Sequence, residues 1–284
     1  MSRFGWPRAL YSDGISIDAK GRKMSTAIVM AYTVLGWVIA SDGRETSDDD
    51  ARIISDNERK IFPIQDRSKT LAYALVGTIS NDADTGSGAY DLRTEAAREA
   101  ESIAGRNFET FQEYVNIFAH HLKKIIHKAK MSGRINEYPE NLNHLDPIDR
   151  FTIAEILLAG YFRKQPCFAE IKFYHREQVI AAPKKRFENY SPGNAAISGS
   201  EKIRFLMINK RDGRFSRYLK PLGPDSSLKE AGEFAKGYIE ACSDPVALEI
   251  DPYCKGIGGH IHMATVTPSD GFGWLPGYEP ENPA

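Results

Sequence analysis

At 284 residues, with 42% hydrophobic and 26% charged side chains, the chain has ordinary globular composition and is long enough for one large domain or two small ones. A formal net charge of -1 excludes a chain-wide basic field for nucleic acid or an anionic membrane, and no apolar run approaches the roughly 20 residues of a membrane helix. The three cysteines, Cys167, Cys242 and Cys254, are widely spaced, which excludes a disulfide framework or a paired-cysteine zinc module and points to a reducing, cytoplasmic compartment.

In chain order, residues 1–25 are polar and punctuated by glycine, and they lack the continuous apolar stretch of a secretion signal. They read as an extension or propeptide. Two β-branched and apolar runs follow, 26–34 and 36–41, separated by Gly36, and predict a tight hairpin. After the acidic triplet Asp48-Asp49-Asp50, the runs 60–64 and 71–77 predict two further strands. Residues 90–104 turn to Glu, Ala and Arg. From 109 to 131 apolar residues recur at Phe111, Val115, Phe118, Leu122, Ile125 and Ala129, the spacing of a helix with one buried face. A polar stretch, 132–150, breaks that pattern. Strand-like runs resume at 151–161 and 167–174, followed by a loop through 184–194 and a helix over 201–209. Ser227 and Glu230 have the spacing of a capping box opening an amphipathic helix that runs to Cys242. A last strand pair, 259–267 and 272–275, is joined by the turn Pro268-Ser269-Asp270-Gly271. Strands, two helices, strands, two helices and strands, with no internal repeat, predict a single α+β domain over 26–278 and a short tail at 279–284.

The residues Thr26, Gly36 and Asp42-Gly43-Arg44, in that register, resemble the opening of a proteasome β-type subunit, of the bacterial proteasome-like branch of the N-terminal-nucleophile hydrolases. Lys60 ahead of Ile61, Leu75-Val76-Gly77-Thr78, Leu158-Ala159-Gly160-Tyr161, Ile197-Ser198-Gly199-Ser200 and Asp251-Pro252-Tyr253-Cys254 extend the resemblance over about 26–275. It implies a four-layer αββα sandwich and a catalytic set of Thr26, Asp42, Lys60, Gly77, Ser198, Asp251 and Cys254. It also implies a peptide or protein substrate, a homo-oligomeric ring or stack, and no cofactor or metal.

The chemistry so implied is amide hydrolysis. A threonine hydroxyl needs a base, and the residue's own free α-amine, with a reference pKa near 8, can serve. Lys60, held by Asp42, would ease alkoxide formation, and the Gly77 N–H would receive the oxyanion, a contribution typically of about 3 kcal/mol per donor. Ser198 and Asp251 would orient the amine, with Cys254 standing where the family has serine. The family frees its threonine by cutting after glycine, whereas Ser25 precedes Thr26 here. While that bond is intact the nitrogen is an amide and no base exists. A catalytically inactive subunit that retains its extension and serves assembly is therefore the alternative reading, and a small-amide acylase is a third.

Other features have plainer readings. His260 and His262 alternate on one strand without a third ligand, so no metal site is expected. Lys184-Lys185-Arg186 and Asp48-Asp49-Asp50 read as solvated loops, the latter without the spacing of a calcium loop.

Overall fold

The computed structural model describes residues 26–46, 52–66, 69–77, 80–81, 90–132, 152–176, 179–180, 184–188, 190–209 and 212–281. The extension 1–25, the acidic triplet and most of the polar stretch 132–150 lie outside the described residues.

The first eight strands are β1 (Ile28–Thr33), β2 (Gly36–Asp42), β3 (Glu45–Thr46), β4 (Ile53–Ser55), β5 (Ile61–Gln65), β6 (Lys69–Gly77), β7 (Ser80–Asn81) and β8 (Tyr90–Asp91). Helices α1 (Leu92–Ala104) and α2 (Phe111–Met131) follow, then β9 (Thr152–Phe162), β10 (Gln165–Arg176), β11 (Val179–Ile180), β12 (Lys184–Glu188) and β13 (Asn194–Ser198). The chain continues through α3 (Glu201–Ile208), α4 (Leu228–Ser243) and α5 (Pro245–Ile250), and ends on β14 (Ile261–Thr267) and β15 (Gly271–Trp274).

One antiparallel sheet has the order β13-β1-β2-β14-β15. A second has the order β11-β10-β9-β6-β5, with β12 also pairing β10. Hydrophobic packing holds the two together. Ile28, Trp37 and Ile39 of the first sheet meet Ala74, Leu157 and Phe168 of the second in one cluster. The opposite face of the second sheet packs Tyr73, Ile156 and Ile171 against Phe118 and Leu122 of α2. The outer face of the first sheet packs Val29 and Val38 against Phe234 and Ile239 of α4. Strand β9 is buried along its whole length, which is why it reads as an unbroken apolar run.

Helix starts follow local chemistry. The Asp91, Thr110 and Ser200 side chains accept from Arg93, Glu113 and Ile203 N–H groups at the starts of α1, α2 and α3, and the Ser227–Glu230 capping box forms as its spacing predicts.

Several expectations need correction. The four-layer αββα sandwich of the N-terminal-nucleophile type gives way to a coarser statement: mostly antiparallel sheet with a few helices. Beside the first sheet only α4 is long; α3 has 8 residues, α5 has 6, and Gly213–Tyr218 and Pro252–Gly256 are 3-10 turns. Residues 184–188, expected in a loop, form β12 because β10 offers them a free edge. The first hairpin turns through Val34 and Leu35, both about half exposed, and Gly36 belongs to β2.

Candidate active site

Thr26 stands two residues ahead of β1, Asp42 ends the neighbouring β2, and Lys60 immediately precedes β5 of the other sheet. The sheet register thus delivers residues far apart in sequence to one end of the gap between the sheets. All three are buried: Thr26 is 6% exposed, Asp42 0% and Lys60 1%.

Lys60 is the junction. Its Nζ donates to Asp42 Oδ1 at 3.0 Å, to the Arg44 carbonyl at 2.8 Å, and to Thr26 Oγ1 at 3.4 Å, a long contact that uses its third donor. Asp42 is equally engaged. Its Oδ1 also accepts from Ala27 N–H at 2.9 Å, while Oδ2 accepts from Arg44 N–H at 3.2 Å and Gly258 N–H at 3.3 Å. Burial pushes the Asp42 carboxyl above its usual range, and Lys60 and the Ala27 and Gly258 N–H groups oppose that shift. Every one of the contacts is a donor, so the ionised carboxylate is the form they accommodate. Gly258 holds φ +153°, a backbone conformation that L side chains rarely adopt, and this favours glycine there; the nearby Arg44 guanidinium is a side-chain end that could move aside.

The other residues singled out by sequence are placed as follows. Gly77 ends β6 with φ +124°, opposite Ala154, and no hydrogen bond joins it to Thr26 among the described residues. Ser198 pairs with Ile28 at the end of β13, and its hydroxyl donates to Glu155 Oε2 at 3.4 Å. Asp251 Oδ2 accepts from the Ser200 hydroxyl at 2.7 Å, so it braces the cap of α3. Cys254 lies against Cys242 and Ser200; the hydrogen bond with Cys242, then that with Ser200, lowers its thiol below the usual range, whereas burial raises Cys242.

Two residues the sequence reading did not single out complete the neighbourhood. The Tyr253 hydroxyl hydrogen-bonds the Thr26 main chain in the sense that favours the phenolate, as an N–H donor does, although burial dominates and raises its pKa. Glu155, on β9, is 4% exposed, and burial pushes its carboxyl up to about 8. One signal for Glu155 was present: it is the single charged residue in the eleven-residue apolar run Thr152–Phe162.

No protein-family model matches the chain, and no curated protein does. Among solved structures, it is similar to Anbu (ancestral β-subunit) from Yersinia bercovieri, with a TM-score of 0.51 and 15% identity over 89% of this chain and 88% of that one. It is also similar to an Anbu Gly-1 mutant from Hyphomicrobium sp. strain MC1, with a TM-score of 0.50 and 14% identity over 88% of this chain and 84% of that one. These likenesses show a proteasome-like fold of the Anbu kind. They correct the placement of the chain in the bacterial proteasome-like branch of the β-type family, because identities this low carry the fold and not membership. Among the described residues no helix is long and apolar enough to cross a membrane.

Proposed function

We propose that the chain is a threonine-type hydrolase of peptide or other amide bonds, with Thr26 as nucleophile once residues 1–25 are removed. The supporting observation is the contact of one buried ammonium, Lys60, with both the Thr26 hydroxyl and the Asp42 carboxylate, at 3.4 and 3.0 Å. In the proposed reaction the freed α-amine takes the proton of Thr26 Oγ1, and that oxygen attacks the substrate carbonyl carbon. The Gly77 N–H receives the oxyanion, the C–N bond breaks as the leaving amine takes the proton, and water then hydrolyses the ester on Thr26. Lys60 stabilises the alkoxide and Asp42 holds Lys60. Ser198, Asp251 and Cys254 support the residue's surroundings. Similarity in fold to a protein described as a β-subunit supports assembly with copies of itself. The three free cysteines fit a cytoplasmic setting.

The second reading is a non-catalytic subunit that keeps its extension. It is favoured by Ser25, where a glycine would ease cutting, and by the hydrogen bond that already engages the Thr26 main chain. Intact-mass measurement separates the two: a hydrolase begins at Thr26, and a scaffold retains Ser25 and what precedes it. Turnover of fluorogenic peptides should disappear in Thr26→Ala. Turnover that survives the substitution would place the chemistry elsewhere.

A further inference from the structure

Between α1 and the edge strand β5 lies a cleft of about 730 Å³, a volume that suits a small ligand or a long side chain. Strand geometry sets it beside the candidate site. Leu75 N–H donates to the Lys60 carbonyl at 3.1 Å, so the ladder between β5 and β6 runs back to Lys60, and residues 60, 62 and 64 share one face. Phe62 and Ile64 line the cleft, and Lys60, next in that row, reaches Thr26 Oγ1 at 3.4 Å. A second link runs through Arg93 of α1, which also lines the cleft. Its Nη1 lies 3.4 Å from Glu45 Oε2, and the carbonyl of the adjacent Arg44 accepts from Lys60 Nζ at 2.8 Å.

One side of the cleft is apolar. Phe62 stacks on Tyr73 with ring centres 5.1 Å apart, and Ala97, Ala100 and Ala104 give α1 a wall without bulk. The lining cations are engaged. Arg93 is held by Glu45, Glu58 and Asp91, and Arg98 Nη1 donates to both Glu95 oxygens at 3.0 Å. Arg59 lays its guanidinium 4.9 Å from the Phe62 ring centre and 5.7 Å from that of Trp274, while its Nε donates to the Ile61 carbonyl at 3.0 Å. Two lining groups are unmet. Glu101 has no hydrogen bond or ion pair among the described residues. Tyr73 is fully buried, and its hydroxyl has no hydrogen-bond partner among them either.

A buried hydroxyl left without a partner is costly, so the cleft is built for something that enters it. A side chain with an apolar stem and a donor-only cationic head fits the lining. Its stem would cover Phe62 and the alanines, and its head would donate to Glu101 and to the Tyr73 oxygen, both of which can accept. A carboxylate could take the Tyr73 O–H but would face Glu58, Asp91 and Glu101. We propose that this cleft receives the substrate side chain on the acyl side of the cleaved bond and selects lysine or arginine there. The proposal rests on the threonine-hydrolase reading and gives it a substrate class.

The test compares peptides that differ only in the residue before a fluorogenic amide: arginine, lysine, norleucine or glutamate. Norleucine keeps the straight stem and removes the charge. On the chain beginning at Thr26, kcat/KM should be about tenfold or more higher for arginine and lysine than for norleucine, and lowest for glutamate. Glu101→Gln should lower the ratio of arginine to norleucine about fivefold, and Glu101→Arg should move the preference toward glutamate. Equal rates for arginine and norleucine, a preference for glutamate in wild type, or a ratio untouched by Glu101→Gln overturns the proposal. Absence of turnover with every peptide removes the hydrolase reading instead, and binding then decides the cleft. N-acetyl-arginine amide should shift the amide resonances of Ala97 and Glu101, and N-acetyl-glutamate amide should not; shifts with both, or with neither, overturn the assignment of the cleft.

Discussion

Lys60 and Asp42 form an ion pair with almost no solvent contact, and such a pair is worth more for what its loss would leave behind than for its own attraction. Lys60→Met should cost about 3–5 kcal/mol in urea unfolding, because the Asp42 carboxylate would stay buried with only N–H groups to hold it. Adding Asp42→Asn should recover part of that loss, so the double variant should be more stable than the sum of the single ones, a coupling read from the cycle. Glu155 gives the opposite kind of test. Its pKa is raised in the fold to about 8, so the native state holds a proton that the unfolded chain has lost above about 4.5. Stability from this group is present below the unfolded value and is lost as pH rises through the folded one. Thermal unfolding of wild type should therefore weaken between about pH 5 and pH 8 by on the order of a few kcal/mol, and Glu155→Gln should flatten that slope. Equal slopes in the two proteins would deny the shift. These residues were unequally legible in sequence. Thr26, Asp42 and Lys60 stood out because their types and spacing resemble the opening of a proteasome β-type subunit. Ser198 and Asp251 were found by position, but their partners, Glu155 and Ser200, depend on cross-sheet and loop packing that no spacing encodes.

At the scale of elements, strand and helix types followed from side-chain periodicity wherever one face or both faces are buried. Strands β1, β2, β6 and β9, and helices α2 and α4, are of this kind. The elements that were missed are β4 and β13; β12, which borrows its edge from β10; α5, six residues long behind Pro245; and the two-residue strands, which exist only by pairing. Gly160 shows how closely the strands meet. It sits in β9 at φ +146°, and a Cβ there would lie 2.3 Å from the Thr70 carbonyl oxygen of β6. Gly160→Ala should thus separate the two central strands of the second sheet. A destabilisation of at least about 1–3 kcal/mol is expected by urea unfolding, from the backbone conformation alone. The same substitution at Gly105 meets nothing within 4 Å and has ordinary φ, so it should be close to neutral and serves as the control.

For the whole molecule the deciding contact is between sheets. Trp37 of β2 is fully buried, stacks on Tyr32 of its own sheet at 4.6 Å, and reaches Phe168 of the second sheet at 6.2 Å and Tyr190 at 5.5 Å. Among the described residues its indole N–H has no hydrogen-bond partner, so its contribution here is surface and shape rather than its polar atom. The candidate site depends on this packing, because Lys60 comes from the edge of one sheet while Thr26 and Asp42 come from the centre of the other. Loss of registry between the sheets by an ångström would break the 3.4 Å contact first, since it is already long. Trp37→Ala should cost about 3–5 kcal/mol, the usual range for a large aromatic removed from a core. It should also weaken the coupling between Lys60 and Asp42 measured in the cycle above, although neither residue touches the indole among the described contacts. Fluorescence and far-ultraviolet circular dichroism should report one coincident unfolding transition in both wild type and variant if the sheets fold as a unit. Two separated transitions would mean that each sheet stands with its own helices, and the site would then be a meeting of two bodies rather than the end of one.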